Sequence, residues 1–108
     1  MVTHSPLGVY LKKLREKQAL LVREAAAALE VDPSLLSRWE SGDRLPTPEH
    51  IRNLARGYGV SVQELEAKRI AQKFLNENGD NPALEDALIA IRENAPPYLV
   101  NNRRITGQ

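Results

Sequence analysis

Near the start of the chain, apolar residues recur at steps of three and four, the spacing of one face of an α-helix. The first stripe follows Ser5-Pro6 and predicts a helix to about Gln18, with proline in its first turn. Its members are Leu7, Tyr10, Leu11 and Leu14. A second stripe predicts a helix over 22–30, and its small side chains allow another helix to pack closely. Its members are Ala25, Ala26 and Leu29.

The third predicted helix, 33–41, has clear signals at both ends. Asp32 can accept hydrogen bonds from the free amides, Pro33 suits the first helical position, and Gly42 ends the helix. Leu36 and Trp39 form its inward face. The side chains left more exposed are Ser34, Leu35, Ser37 and Arg38. Two short helices joined by a sharp turn can place the start of the second in the major groove of DNA, where base edges are distinguishable.

A fourth helix is predicted to start at Thr47-Pro48-Glu49, which supplies a cap, a first-position proline and an acid near the positive end of the helix dipole. Its expected buried face is Ile51, Leu54, Ala55 and Tyr58. Gly57 and Gly59 flank its end.

Two more helices are predicted toward the C-terminus. A capping box over 61–64 starts the fifth, which runs to about Asn76. Its apolar stripe is Leu65, Ala67, Ile70, Ala71, Phe74 and Leu75. The sixth is expected to begin near Asn81-Pro82. It is expected to bury Leu84, Ala87, Leu88 and Ile91. The pattern as a whole predicts an all-α protein.

Composition narrows the classes of function. The 108 residues suit one compact domain with an extension. With no cysteine and only two separated histidines, no metal site is expected, and no motif indicates a cofactor. No apolar run is long enough to cross a bilayer, and no targeting segment is recognisable. These features predict a cytoplasmic, nucleoid-associated protein.

The net charge of +1 is low for a protein that binds nucleic acid, so its distribution matters. Residues 1–60 hold nine Lys/Arg against seven Asp/Glu, and residues 61–108 hold six against seven. The small positive excess therefore lies in the part that contains the two short helices. Surface cations there can contact phosphates, although a solvated surface of mixed charge is the alternative for any single lysine.

Several short motifs in the right order resemble the Cro and phage-repressor type of helix-turn-helix, the XRE family of transcriptional regulators. They are Leu14-Arg15, Arg23-Glu24-Ala25-Ala26, Pro33-Ser34 with Leu36-Ser37-Arg38, Glu40 with Gly42, Pro46, Leu54-Ala55 and Tyr58 to Ser61, ending at Leu65. The resemblance implies a five-helix phage-repressor-like helix-turn-helix domain over 1–66 with an added C-terminal helix. Residues 67–95 would form a helical extension and 96–108 a flexible tail.

The resemblance also implies which residues touch DNA. In this family the third helix reads the major groove, and exposed positions near its start contact bases. On this chain the expected DNA-binding residues are Arg23, Pro33, Ser34, Leu35, Ser37, Arg38 and Arg44. Arg38 can bind both acceptors of a guanine, a contact worth about 1–3 kcal/mol of discrimination, while a phosphate contact or a solvated charge is the alternative. Leu35 would touch a thymine methyl group, and Ser34 a base or a phosphate.

Two further expectations come from the resemblance. Arg15 and Glu40 occupy positions that often form a partly buried ion pair in the family. Relatives also start the second helix with Thr or Ser followed by Gln, which contact phosphate, whereas this chain has Leu21 and Val22. Arg23 or Arg44 would have to replace that phosphate contact.

One helix-turn-helix covers only a few base pairs, so specific binding usually needs two copies about 34 Å apart along the duplex. The expected dimerisation surface is Ile70, Phe74, Leu75, Leu84, Leu88 and Ile91. Alternatively, these helices complete the core of the monomer, or bind a different protein such as a toxin, an antagonist or polymerase.

The leading hypothesis is a sequence-specific, dimeric transcriptional repressor that binds a double-stranded DNA operator. The alternative is a protein-interaction module, such as an antitoxin or a bridging factor, in which DNA binding is secondary. An enzyme is the weakest hypothesis. Ser37, Glu49 and His50 would be its only catalytic group, and both the expected DNA face of Ser37 and the helix-start position of His50 argue against it.

Overall fold

A computed structural model of the chain describes residues 5–95. These residues form six helices: α1 (Pro6–Lys17), α2 (Val22–Leu29), α3 (Pro33–Ser41), α4 (Pro48–Tyr58), α5 (Val62–Asn78) and α6 (Leu84–Asn94). The all-α prediction is confirmed, and α3 has the predicted bounds because both of its ends are marked locally. The flexible tail predicted over 96–108 lies outside the described residues.

The chain divides at Asn78 into two compact units. The first contains α1 to α4 and α5 up to Glu77, and the second contains α6. The first unit therefore extends past residue 66. The cause is the second half of α5, whose Gln72 is buried and binds the start of α1.

The core of the first unit is formed by one apolar stripe from each of α1 to α4 and by the start of α5. Its fully buried members are Leu7, Leu11, Ala25, Ala26, Leu29, Leu36, Trp39, Ile51, Leu54, Ala55, Tyr58 and Leu65. Helix α3 packs against both α1 and α2. The buried positions predicted for α2, α3 and α4 are all found in this core.

Beyond Leu65, the apolar stripe predicted for α5 is only partly buried. Ala67, Ile70 and Ala71 are exposed, Phe74 and Leu75 are half-buried, and the fully buried residue is Gln72. The first-turn amides of α1 receive no side-chain cap from Ser5. The Gln72 carbonyl oxygen accepts from two of them, Leu7 N and Gly8 N, both at 3.1 Å. An apolar residue at this position could not satisfy those amides.

Helix α6, described by itself, also differs from its prediction. It begins at Leu84, because Asn81 first forms a turn: the Asn81 carboxamide oxygen accepts from Ala83 N at 2.9 Å. Leu84 and Ala87 are half-buried, whereas Leu88 and Ile91 are exposed. The expectation that α6 buries these side chains is therefore wrong for Leu88 and Ile91 within residues 5–95.

Candidate nucleic-acid interface

The start of α3 is fixed by its cap. One carboxylate oxygen of Asp32, Oδ1, accepts from the Ser34 amide and from the Ser34 hydroxyl, both at 2.8 Å. These two hydrogen bonds lower the pKa of Asp32. Pro33 occupies the first helical position, where its missing N–H has no cost. At the other end, Gly42 adopts a left-handed conformation (φ 83°) that only glycine enters easily. Both ends of α3 are thus well determined.

The two faces of α3 differ sharply in exposure. Leu36 and Trp39 are 0% and 1% exposed in the core. On the other side lie the exposed side chains of Pro33, Ser34, Ser37 and Arg38. Leu35 differs from the expectation, since it is half-buried and packs against the core. Only part of its side chain is available to contact a thymine methyl group.

The turn between α2 and α3 is closed by backbone and side-chain hydrogen bonds. Glu30 takes a left-handed conformation (φ 60°), and Val31 N donates to Ala26 O at 3.0 Å. From α4, the Asn53 amide nitrogen donates to Leu29 O at 2.8 Å, which satisfies a free carbonyl at the end of α2. The sequence analysis missed Asn53, because an isolated polar residue on a helix carries no signal of a distant partner.

Arg15 and Glu40 form a bidentate ion pair. Arg15 Nε lies 2.8 Å from Glu40 Oε2, and Arg15 Nη2 lies 2.9 Å from Glu40 Oε1. The two side chains are only 11% and 7% exposed. The Glu40 hydrogen bond raises the pKa of Arg15. A third hydrogen bond, from Nη1 to Leu20 O at 2.8 Å, makes Arg15 the link between α1, the following loop and the end of α3.

A second contact between α1 and α3 depends on Gly8. A Cβ atom added there would lie 2.5 Å from Glu40 O and 2.8 Å from Trp39 O. The α1 backbone therefore passes directly against the end of α3, and only glycine permits this distance. With the Arg15–Glu40 pair, this contact fixes the orientation of α3 on its core.

The predicted phosphate contacts remain available to a ligand. Arg23, Arg38 and Arg44 are exposed, and none of their guanidinium groups forms an ion pair within residues 5–95. Leu21 cannot cap α2, but the Glu24 carboxylate accepts from Leu21 N at 2.8 Å and ties down the helix start. The helix is thus capped without the residues that relatives use.

Comparison with known proteins identifies this arrangement. Residues 6–67, more than half of the chain, match the family described as "Helix-turn-helix domain". The chain belongs to the helix-turn-helix family. Members of this family are DNA-binding transcriptional regulators and not enzymes, and this chain is accordingly a DNA-binding transcriptional regulator.

Solved structures agree with this assignment. Two crystal structures of the clp gene regulator ClgR from Corynebacterium glutamicum are similar to the structure of this chain. The first shares 26% identity, covers 65% of this chain and 91% of that chain, and has a TM-score of 0.53. The second, at 24% identity, covers 89% of this chain and 97% of that chain with a TM-score of 0.54, which is a likeness of fold alone. None of the curated proteins compared with the regulator matches it.

Of the three residues considered as a catalytic group, His50 has a structural role. The His50 Nδ1 atom lies 3.0 Å from Thr47 Oγ1, and its ring packs on Trp39 with centroids 4.8 Å apart. His50 therefore supports the start of α4. Within residues 5–95 no group of acidic or histidine side chains could hold a metal ion, and no helix is long and apolar enough to span a membrane.

The six residues predicted for dimerisation differ in exposure. On α5, Ile70 is 56% exposed, while Phe74 and Leu75 are half-buried. On α6, Leu88 is 49% and Ile91 55% exposed, and Leu84 is half-buried. Ile89, which the sequence analysis did not include, is as exposed as its neighbours. Helix α6 thus carries apolar side chains that residues 5–95 leave accessible to water.

Proposed function

We propose that this regulator is a sequence-specific repressor that binds its operator as a homodimer, with α3 in the major groove. The observation that carries the proposal is the rigid, exposed polar edge of α3, on which Ser34, Ser37 and Arg38 project from a helix held by the core on its other side. In a helix-turn-helix, the residues near the start of the second helix contact base edges.

The charges support distinct roles for the cations. Arg38 lies four residues after Ser34 and therefore on the same side of α3. Its guanidinium, free of an ion pair among the described residues, suits the two acceptors of guanine. Arg23 and Arg44 lie outside α3, at the start of α2 and in the loop after α3. They suit phosphate contacts, which position a protein on DNA without reading sequence.

Random-site selection with the purified protein tests this assignment. The wild-type protein is expected to enrich one operator sequence. Arg38→Ala should lose the preference for guanine at one position, by about 1–3 kcal/mol, and keep the others. Lys13→Ala, which removes an exposed cation from α1, is the control and should leave every base preference unchanged. If Arg38→Ala weakens all sequences equally, Arg38 is a phosphate contact and its assignment as a base-reading residue is wrong.

The exposed apolar side chains of α6 support a second copy of this chain as the partner. Monomeric proteins seldom leave adjacent large apolar residues such as Leu88, Ile89 and Ile91 about half exposed. A helix-turn-helix regulator also needs two reading helices on one face of the duplex for tight binding. A symmetric contact would meet both requirements at once.

Analytical ultracentrifugation with Leu88→Glu tests the dimer. The wild-type protein should sediment as a dimer and Leu88→Glu as a folded monomer with weaker operator binding, because the new charge is buried in the contact. Val9→Glu places the same charge at a position on α1 with similar exposure, 48% against 49% for Leu88, and it should remain dimeric. A Leu88→Glu protein with unchanged mass and operator affinity would exclude α6 from the interface.

Repression follows if the operator overlaps a promoter. A reporter gene with the selected operator placed over its promoter should fall in expression when the protein is supplied. Arg38→Ala should restore expression. A rise in expression with the wild-type protein would instead indicate an activator.

A further inference from the structure

Hydrogen-bond donors and acceptors are unevenly distributed along the exposed edge of α3. At its start, Asp32 Oδ1 is occupied by the amide and the hydroxyl of Ser34. The other oxygen, Oδ2, accepts no hydrogen bond within residues 5–95, and the side chain is exposed. Arg38, six residues later, provides only donors. The start of α3 is therefore an acceptor and its second turn a donor.

Ser34 adds to this polarity. Because its hydroxyl hydrogen is directed to Asp32, the Ser34 oxygen offers only lone pairs outward. An acceptor of this kind cannot donate to a phosphate or to a guanine edge unless the cap hydrogen bond breaks. The pKa of Asp32 is lowered by the same two hydrogen bonds, so the carboxylate remains charged at neutral pH.

The four bases differ in what they present to such an acceptor in the major groove. Guanine presents two acceptors and thymine one, so a carboxylate is repelled by both. Adenine presents a donor, N6, beside an acceptor, N7. Cytosine presents the N4 donor without an acceptor of its own beside it, and an aspartate or glutamate accepts from this group.

We infer that Asp32 is a specificity-determining residue that selects cytosine at one position of each operator half-site, distinct from the position that Arg38 reads. This inference rests on the proposed function, since it requires α3 to lie in the major groove. Replacing the cytosine by guanine or thymine should weaken binding roughly tenfold, and replacement by adenine should weaken it less.

Random-site selection with Asp32→Asn provides the test. Asparagine caps a helix about as well as aspartate, so α3 should keep its start. With its carboxamide oxygen held in the cap, its Nδ2 group takes the place of Oδ2 and can only donate, so the selected base at that one position should change from cytosine to one that presents an acceptor, such as guanine or thymine. Asp43→Asn, which removes the same charge from the exposed loop after α3, is the matched control and should still select cytosine.

Asp32→Ser is a second variant that keeps a capping side chain and removes the carboxylate. It should lose the cytosine preference without the change to guanine or thymine that Asp32→Asn shows, and far-ultraviolet circular dichroism should show unchanged helix content. If the wild type, Asp32→Asn and Asp32→Ser all select the same operator, the inference is overturned while the proposed function stands. If the wild type selects no sequence at all, the proposed function itself is overturned.

Discussion

Two residues in turns carry a Cβ atom but adopt backbone angles that favour glycine. Ala19, between α1 and α2, has a φ of 57°, and Glu30, between α2 and α3, has a φ of 60°. A left-handed conformation costs a residue with a Cβ atom about 1–2 kcal/mol. The packing of the helices on either side of each turn must offset this cost. The strain can be measured at Ala19, which is exposed and whose change removes only a methyl group.

Ala19→Gly should raise the free energy of unfolding by about 0.5 kcal/mol, because relief of the strain exceeds the extra flexibility that glycine gives the unfolded chain. Ala28→Gly makes the same chemical change at an exposed position inside α2, where it should lower the free energy of unfolding by about 0.5–1 kcal/mol. Urea unfolding measures both. A loss of stability in both variants would contradict the assigned conformation of Ala19.

Because of Tyr58, the free energy of unfolding of the protein depends on pH in the alkaline range. Burial raises the pKa of Tyr58 to about 12, with a further increase from Glu40 and an opposing effect of Arg15. Its hydroxyl is buried and has no hydrogen-bond partner among the described residues. Because the pKa is higher in the folded state than the ordinary value of 10.0, ionisation of Tyr58 has no effect on stability below pH 10. As the pH rises from 10 to about 12, the unfolded chain loses the tyrosine proton first and the free energy of unfolding falls.

Tyr58→Phe should therefore be more stable than the wild type by about 1 kcal/mol at pH 7, since the unpaired hydroxyl is removed. It should also lose less stability than the wild type between pH 10 and 12. Tyr10→Phe is the control, because it removes a hydroxyl that is bonded to Glu64 at 2.6 Å and should lower stability slightly at pH 7. Thermal unfolding at several pH values distinguishes the two. If Tyr58→Phe is destabilised at pH 7, the hydroxyl has a partner in solution.

At the scale of the elements, local sequence signals were sufficient to predict where α3 begins and ends. Contacts between residues far apart in the sequence could not be predicted. Asp32, Pro33 and Gly42 mark the ends of α3 because capping depends on neighbours in sequence. Gln72 could not be predicted, since its partners are the amides of α1 and a glutamine between apolar positions resembles a surface residue. The stripe on α6 was recognised as apolar, but its periodicity does not reveal whether the same chain or another one covers it.

The contact between α1 and α3 predicts a large effect at Gly8. Gly8→Ala should lower the free energy of unfolding by about 3 kcal/mol, because the new methyl group meets two backbone carbonyls that cannot move alone. In Gly57→Ala the methyl group would meet one methyl group of the buried Leu29 side chain, which can shift more readily than a backbone carbonyl. That variant should lose less stability than Gly8→Ala, and the higher helix propensity of alanine should offset part of the loss. Equal effects in urea unfolding would mean that α1 and α3 are less closely packed than described.

For the whole molecule, the distribution of charge matters more for DNA binding than the net charge does. The total of +1 is low, yet Arg23, Arg38 and Arg44 are exposed and form no ion pair within residues 5–95. The buried arginine, Arg15, is instead neutralised by Glu40. The cations near α3 are thus free to contact phosphates, while the acids that lower the total charge include those on α5 and α6. This distribution predicts that binding depends on salt concentration.

The most direct test of sequence-specific binding through α3 is a fluorescence anisotropy titration. The wild-type protein is titrated against its selected operator and against a scrambled duplex of equal composition, at 50 and 200 mM salt. Both affinities should fall as salt rises, with the operator bound at least about 1,000-fold more tightly at either salt concentration. Equal affinity for the two duplexes, or no dependence on salt, would contradict sequence-specific binding through α3.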